Sequence, residues 1–264
     1  MKPLQLIPLG INGFLPSFGR QTMSYLVDGP GPAFLLDAGT GASRLLEPEI
    51  AQRLEGQDVL DVVLSHYHLD HTAGLTYLNG VWGKDVRIHA PTPPLVDAEP
   101  NDAFAKLVAP PIFPMPFDAW PNAVEIVPYS DSFTVAGLEV QARRQKHPGG
   151  SAGLRFEDAL TYTTDTAADD ATIDFASRVG MLLHEVWLDD EEALQFPRML
   201  SGHAAASDVL RIAHEASVSA LAPVHFHPKR SASAVDDLVR SMASVARVRV
   251  ERLEETVPLP LEHP

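Results

Sequence analysis

The chain contains no cysteine. Disulfides and thiolate metal sites are therefore excluded, and any metal must be held by nitrogen and oxygen donors. No run approaches the roughly 18 apolar residues needed to cross a bilayer. Basic residues are scarce, 20 Lys and Arg against 35 Asp and Glu, for a formal net charge of −15. A field of that sign repels phosphate backbones, although bound cations reverse it locally, so a large nucleic acid is a poor first choice of partner. The opening "MKPLQLIPLGINGF" has one lysine and an interrupted apolar stretch. It reads as a first strand rather than a signal peptide, which makes the cytoplasm the expected setting.

What is present suffices for a core. The 264 residues are 45% hydrophobic, and one domain over 1–264 is expected. Short β-type runs recur in the first half ("LQLIPLG", "SYLVDG", "AFLLDAG", "DVVLSH", "DVRIHA"), with "DGPGP" at 28–32 as a hairpin turn. Residues 41–56 carry Leu and Ile at helical spacing. Residues 90–121 are rich in proline and predict an irregular excursion around one short helix at "DAFAKLV". The aromatic and Met side chains of that excursion (Phe113, Met115, Phe117, Trp120) suit core packing, a lid or a dimer contact. The second half alternates strands ("ALTYTTDT", "MLLHEVWL", "ALAPVHF") with amphipathic helices ("ASDVLRIAHEA", "SAVDDLVRSMASVA"). In the first of these helices Val209, Leu210, Ala213 and Ala216 can share one face.

The chemistry concentrates in "LSHYHLDHTAG", residues 64–74. His66 and His68 are two apart, so on an extended segment they face one way and can bind one ion. Asp70 and His71 fall where the chain turns into a helix and can point to a second. His147, Asp165 and His225 each follow a strand-like run, and strand ends can aim residues distant in sequence at a common point. Imidazole and carboxylate donors suit two zinc ions, with manganese and iron also compatible. A dinuclear site of this kind acidifies a bridging water and clamps the oxygens of a displaced group.

"HYHLDH" is the H-x-H-x-D-H signature of the metallo-β-lactamase superfamily, and the resemblance runs over nearly the whole chain. It implies a four-layer αββα sandwich (α/β class). It also implies that His66, His68 and His147 hold one metal, Asp70, His71 and His225 the other, and that Asp165 bridges them. Upstream, "LLDAGTG" at 35–41 resembles the family's second conserved turn, with Asp37 supporting the metal ligands. The ribonuclease Z branch is the most similar. Its His-Glu pair resembles "LLHEVWLDDEEAL", its Gly-His resembles "SGHAAASDVLRIA", and its opening resembles "LGINGFLPSFGRQTMSYLV" with Arg20. The likeness implies that Glu185 orients His203 and that His203 assists the leaving oxygen. Asp70 and Asp165 would position a metal-bridging hydroxide. Two departures stand out. Only "PGGSAGLRFEDALTYTT" separates His147 from Asp165, too short for the tRNA-clamping arm, and His227 stands where the branch has a small hydroxyl residue. Both point to a short form acting on a small-molecule phosphodiester.

Other histidines have plainer readings: His89 structural at a strand end, His214 on a helix, and His184 facing away from Glu185. His227 alternates with His225 and is a candidate to face the cleft. The expected activity is dinuclear zinc-dependent phosphodiester hydrolysis. Its rivals are a lactone, thioester or β-lactam hydrolase on the same metals and a catalytically silent metal-binding or regulatory module. A homodimer is the expected assembly.

Overall fold

Leu6, Tyr25, Val27, Phe34 and Leu36 belong to one buried core, whereas their strand neighbours Ile7, Leu26 and Leu35 belong to another. Successive strand residues point to opposite faces, so a strand covered on both faces is apolar throughout. That is why the N-terminal runs read as continuous rather than alternating.

The computed structural model describes residues 2–79, 83–196 and 201–262. One sheet contains β1 (Gln5–Gly10), β2 (Ser24–Asp28), β3 (Phe34–Ala38), β4 (Val59–Val63), β5 (Asp85–Pro91) and β6 (Val124–Tyr129) in that order. The second contains β7 (Phe133–Val135), β8 (Leu138–Gln145), β9 (Ser151–Phe156), β10 (Leu160–Thr163), β11 (Met181–Glu185), β12 (Ala220–Val224) and β13 (Arg249–Val250). β14 (Leu259–Pro260) pairs antiparallel with β1 and extends the first sheet. Each sheet begins with antiparallel hairpins and continues with parallel strands, β3 to β6 in the first and β10 to β13 in the second.

The sheets pack face to face through Phe34 on Phe156 and Tyr25 on Tyr162, each pair with ring centroids 5.7 Å apart. Outside the second sheet lie helices spanning Ala206–Glu215 and Ala232–Val245. Val209, Ile212 and Ala213 of the former and Val235, Leu238 and Met242 of the latter are buried in the same core. Ser231 caps the latter by accepting from Ala234 N. Outside the first sheet lie short helices and 3-10 turns, giving the expected αββα sandwich.

Two local readings are refined. Residues 41–56 do not form one helix but a 3-10 helix (Thr40–Leu46), a single α turn (Pro48–Ala51) and a second 3-10 turn (Gln52–Leu54). Pro48 sits at the first helical position, where its missing N–H is harmless but the preceding residue is driven extended. On the later helix, Ile212 joins Val209 and Ala213 inside, while Leu210 is only half-buried. The Pro-rich stretch connects the neighbouring parallel strands β5 and β6 and contains a helix over Pro100–Leu107. Phe113, Met115 and Phe117 pack against the outer core and Trp120 is buried in it, so their role here is packing.

His184 on β11 is fully buried, and its Nδ1 donates to the Glu185 carbonyl at 2.9 Å. Burial pushes its pKa down to about 4. An unfolded histidine titrates near 6.5, so between those values the unfolded chain binds a proton that the folded chain refuses. Stability is therefore lost as pH falls through that window, by on the order of 3 kcal/mol. Urea unfolding of metal-free protein at pH 7 and pH 4.5 will show a smaller loss for His184→Gln than for the wild type. Equal losses would mean that the ring finds a partner for its second proton.

Candidate metal centre

The parallel strands of both sheets deliver their ends to one edge. His66 and His68 follow β4, and Asp70 and His71 lie on a helical turn, Leu69–Thr72, that starts immediately after. His147 follows β8, Asp165 follows β10, and His225 follows β12. The structure brings all seven together. One donor atom from each of His66, His68, His147 and Asp165 lies within 4.8 Å of the others, and Asp70, His71 and His225 form a second such group. Asp165 forms a third with His203 and His225. Its oxygens lie 3.4 Å from His147 Nε2, 3.0 Å from His71 Nε2 and 3.1 Å from His225 Nε2, so it adjoins both clusters.

The bonds at the far ring nitrogens set the tautomers. His71 Nδ1 donates to Asp37 Oδ2 at 2.8 Å, and His147 Nδ1 donates to the Gly202 carbonyl at 2.9 Å. In the neutral rings each Nε2 then carries a lone pair directed into the cluster. For His71 that lone pair would face Asp165 Oδ2 at 3.0 Å and Asp70 Oδ2 at 3.5 Å, all within the interior. Such an arrangement is repulsive unless a positive charge stands among the atoms. Burial alone would lower the His71 pKa, but Asp70, Asp37 and Asp165 push it well above 6.5. Burial alone would raise Asp70 and Asp165, yet the surrounding histidines hold both well below the usual carboxylate range. His66 is driven well down by burial and by His71, and its buried Nε2 has no hydrogen-bond partner among the described residues. Converging nitrogens and carboxylate oxygens of this kind fit divalent cations.

Asp37 supports the centre. It accepts from Ser65 N at 2.7 Å, Ser65 Oγ at 2.8 Å, Tyr162 Oη at 2.7 Å and His71 Nδ1. Burial, reinforced by Asp37, keeps the Tyr162 phenol well above its ordinary pKa, so it remains a donor.

Beside the cluster stands the second predicted constellation. His203 Nδ1 lies 2.8 Å from Glu185 Oε2, and Glu185 is fully buried at the end of β11. Its other oxygen accepts from Thr166 N. Burial pushes the Glu185 carboxyl well up and the His203 imidazole down. The neighbouring Trp187 stacks on His203 at 4.6 Å and 14° and meets His227 edge-on at 4.7 Å. His227 thus contacts Trp187, and it is not among the residues lining the adjoining cleft of about 620 Å³. Arg20 is buried in the opening loop, donating to Asn12 Oδ1 and the Arg230 carbonyl, and likewise does not line the cleft. His89 donates to Asp61 at 2.7 Å inside the first sheet, and His214 is exposed.

Sequence reasoning missed three features. Trp187 carries no motif. The Phe14 amide donates to Asp70 Oδ2 at 2.7 Å, a backbone contact no side chain announces. Two glycines set approach distances: a Cβ on Gly13 would come within 2.4 Å of the His225 ring, and Gly202, at φ +89, lies against Pro148 and His147. Displacing His225 by about 1 Å would cost roughly a hundredfold in turnover. Gly13→Ala is therefore expected to lose activity and retain less metal with unchanged circular dichroism. Full activity would show that the ring can move without consequence.

The fold and site define an αββα sandwich whose strand-end edge carries a His/Asp cluster fit for divalent cations. A model of the metallo-beta-lactamase superfamily matches residues 18–160, and the chain belongs to that superfamily. It is 29% identical to a ribonuclease Z of Kineococcus radiotolerans over 64% of this chain, spanning about half (52%) of that relative's length. A Halobacterium salinarum ribonuclease Z is 24% identical over 97% of this chain and 98% of its own. Among solved structures, the metallo-beta-lactamase fold protein YhfI from Bacillus subtilis superposes with TM-score 0.74 at 21% identity over 97% of this chain and 99% of its own. Human tRNase Z, short form, superposes with TM-score 0.66 at 16% identity over 98% and 99%.

Proposed function

We propose that this chain is a metal-dependent hydrolase of small phosphodiesters. It would hold one zinc ion through His66, His68 and His147 and a second through Asp70, His71 and His225, with Asp165 shared. The observation that carries the choice of substrate bond is the Glu185–His203 pair at 2.8 Å beside the cluster. A carboxylate-held imidazole there can give a departing alkoxide its proton. A lactone releases an alkoxide too, so the pair favours an oxygen leaving group and the likeness to ribonuclease Z favours phosphorus as its centre. The relatives named ribonuclease Z support the same bond type. A small diester is favoured over a tRNA precursor because residues 147–165 hold only the β9–β10 hairpin, and by the charge of −15.

Bound there, the cations would acidify a water and neutralise the non-bridging phosphate oxygens. The chain's own residues do the rest. Asp70 and Asp165, kept ionised by the surrounding histidines, would orient the attacking water, and Asp37 fixes the His71 ring. In its acidic form the Glu185–His203 pair would carry two protons, one between Oε2 and Nδ1 and one on Nε2. Whether the shared proton is assigned to the carboxyl or the imidazole, Nε2–H faces the cleft and can pass to the leaving oxygen.

The test is zinc-loaded turnover of bis(p-nitrophenyl) phosphate beside a lactone, a thioester, a β-lactam and a tRNA precursor. Turnover of the diester alone supports the reading. Hydrolysis confined to the carbonyl substrates would overturn the phosphodiester assignment, and preference for the precursor would overturn the small substrate.

A further inference from the structure

We propose that Phe14, Leu15 and Leu69 form an apolar subsite for the organic group that remains esterified to phosphorus, so that the preferred diester carries an aromatic or similarly apolar spectator group. The proposal rests on the phosphodiesterase reading and extends it to the substrate's second substituent. The three side chains are 70%, 42% and 66% exposed, yet all line the cleft that also contains His68, Asp70 and His203. Single exposed apolar residues are ordinary. Three bordering one reactive cleft, with Trp187 and Pro148 in the same lining, make a pocket suited to an apolar group.

Phe14 is held there against its backbone preference. Its φ of 64° is a left-handed conformation that bulky residues rarely adopt. Its amide is tied to Asp70 Oδ2 at 2.7 Å. On either side the loop is pinned by Gly13 N donating to the Phe226 carbonyl at 3.1 Å and Ser17 Oγ donating to the Pro228 carbonyl at 2.6 Å. These bonds hold the strained residue with its ring at the mouth of the site, and strained residues cluster where ligands are clamped. Among the described residues lining the cleft none is Lys or Arg, so those residues offer no partner for a second phosphate on the substrate.

Two diesters with the same leaving group separate the spectator from the chemistry: phenyl p-nitrophenyl phosphate and methyl p-nitrophenyl phosphate, each normalised to its uncatalysed rate. The zinc-loaded protein is expected to favour the phenyl ester by about tenfold or more in kcat/KM, the scale of burying most of a ring's extra apolar area. In the double variant Phe14→Ala, Leu15→Ala that ratio falls toward one. A wild-type ratio near one, or a ratio unchanged in the variant, overturns the subsite. If neither diester is hydrolysed, the phosphodiesterase reading fails, and calorimetric binding to the same zinc-loaded protein still decides the subsite. Phenylphosphonate binding about tenfold tighter than methylphosphonate, lost in the variant, supports it, and equal affinities overturn it.

Discussion

Asp165→Ala is expected to lose metal and at least about a thousandfold in kcat, equivalent to about 4 kcal/mol of transition-state stabilisation. It belongs to one group and lies against two rings of the other. Its oxygens approach ring nitrogens of His71, His147 and His225 within 3.0 to 3.4 Å. Removing it withdraws a shared anion from these three imidazoles and leaves their lone pairs converging without compensation. It also frees Thr164 Oγ1, which donates to Asp165 Oδ2 at 2.8 Å. Atomic emission on dialysed protein should read well under two metal ions per chain, alongside the loss of diester turnover. The control is Asp169→Ala, whose carboxylate pairs with Arg143 and Lys146 outside the cluster. If Asp165→Ala kept a full complement of metal, Asp165 could not be the shared ligand, and the two groups would be independent sites.

Much of this centre was legible because its chemistry is local in sequence. Two histidines at strand spacing followed by Asp-His at a helical turn can serve only a few purposes, and the structure places "HYHLDH" across the junction of β4 and a helical turn, as the spacing requires. His147, Asp165 and His225 were readable as polar residues closing apolar runs. What could not be read is how they turn inward. Asp37, Asp165 and His225 adopt φ of 53°, 51° and 54°, the left-handed region, although none is glycine. Each stands at or just past a strand end, and the surrounding contacts hold it in a conformation that its residue type does not signal. The same blindness covers the Phe14 amide on Asp70, since backbone donors are silent in sequence, and the stacking of Trp187 on His203, since a ring plane is set by tertiary packing. In the fold, paired apolar runs were clear, whereas 41–56 misled because Leu and Ile at helical spacing do not distinguish an α-helix from consecutive 3-10 turns broken by Pro48.

His203→Ala should lower kcat by about a hundredfold to ten-thousandfold, the range for a positioned proton donor, while metal content stays that of the wild type. Retention of metal separates this loss from the one at Asp165. Glu185→Gln tests the partner without emptying the space. The amide can still accept from Thr166 N, but it cannot hold the pair's extra proton, and it removes the negative charge that stabilises an imidazolium. Burial already lowers the His203 pKa, so without the carboxylate the acidic form survives only at lower pH. The alkaline limb of the kcat profile, where the wild-type pair loses its second proton, is therefore expected to move to lower pH in Glu185→Gln. Activity then recovers partly on acidification until the metal ligands protonate. A leaving group that needs no proton sharpens the result: for p-nitrophenolate esters the His203→Ala loss should shrink, and for alkyl leaving groups it should grow. Equal losses on both would mean that His203 acts through charge on the phosphate rather than by giving up its proton.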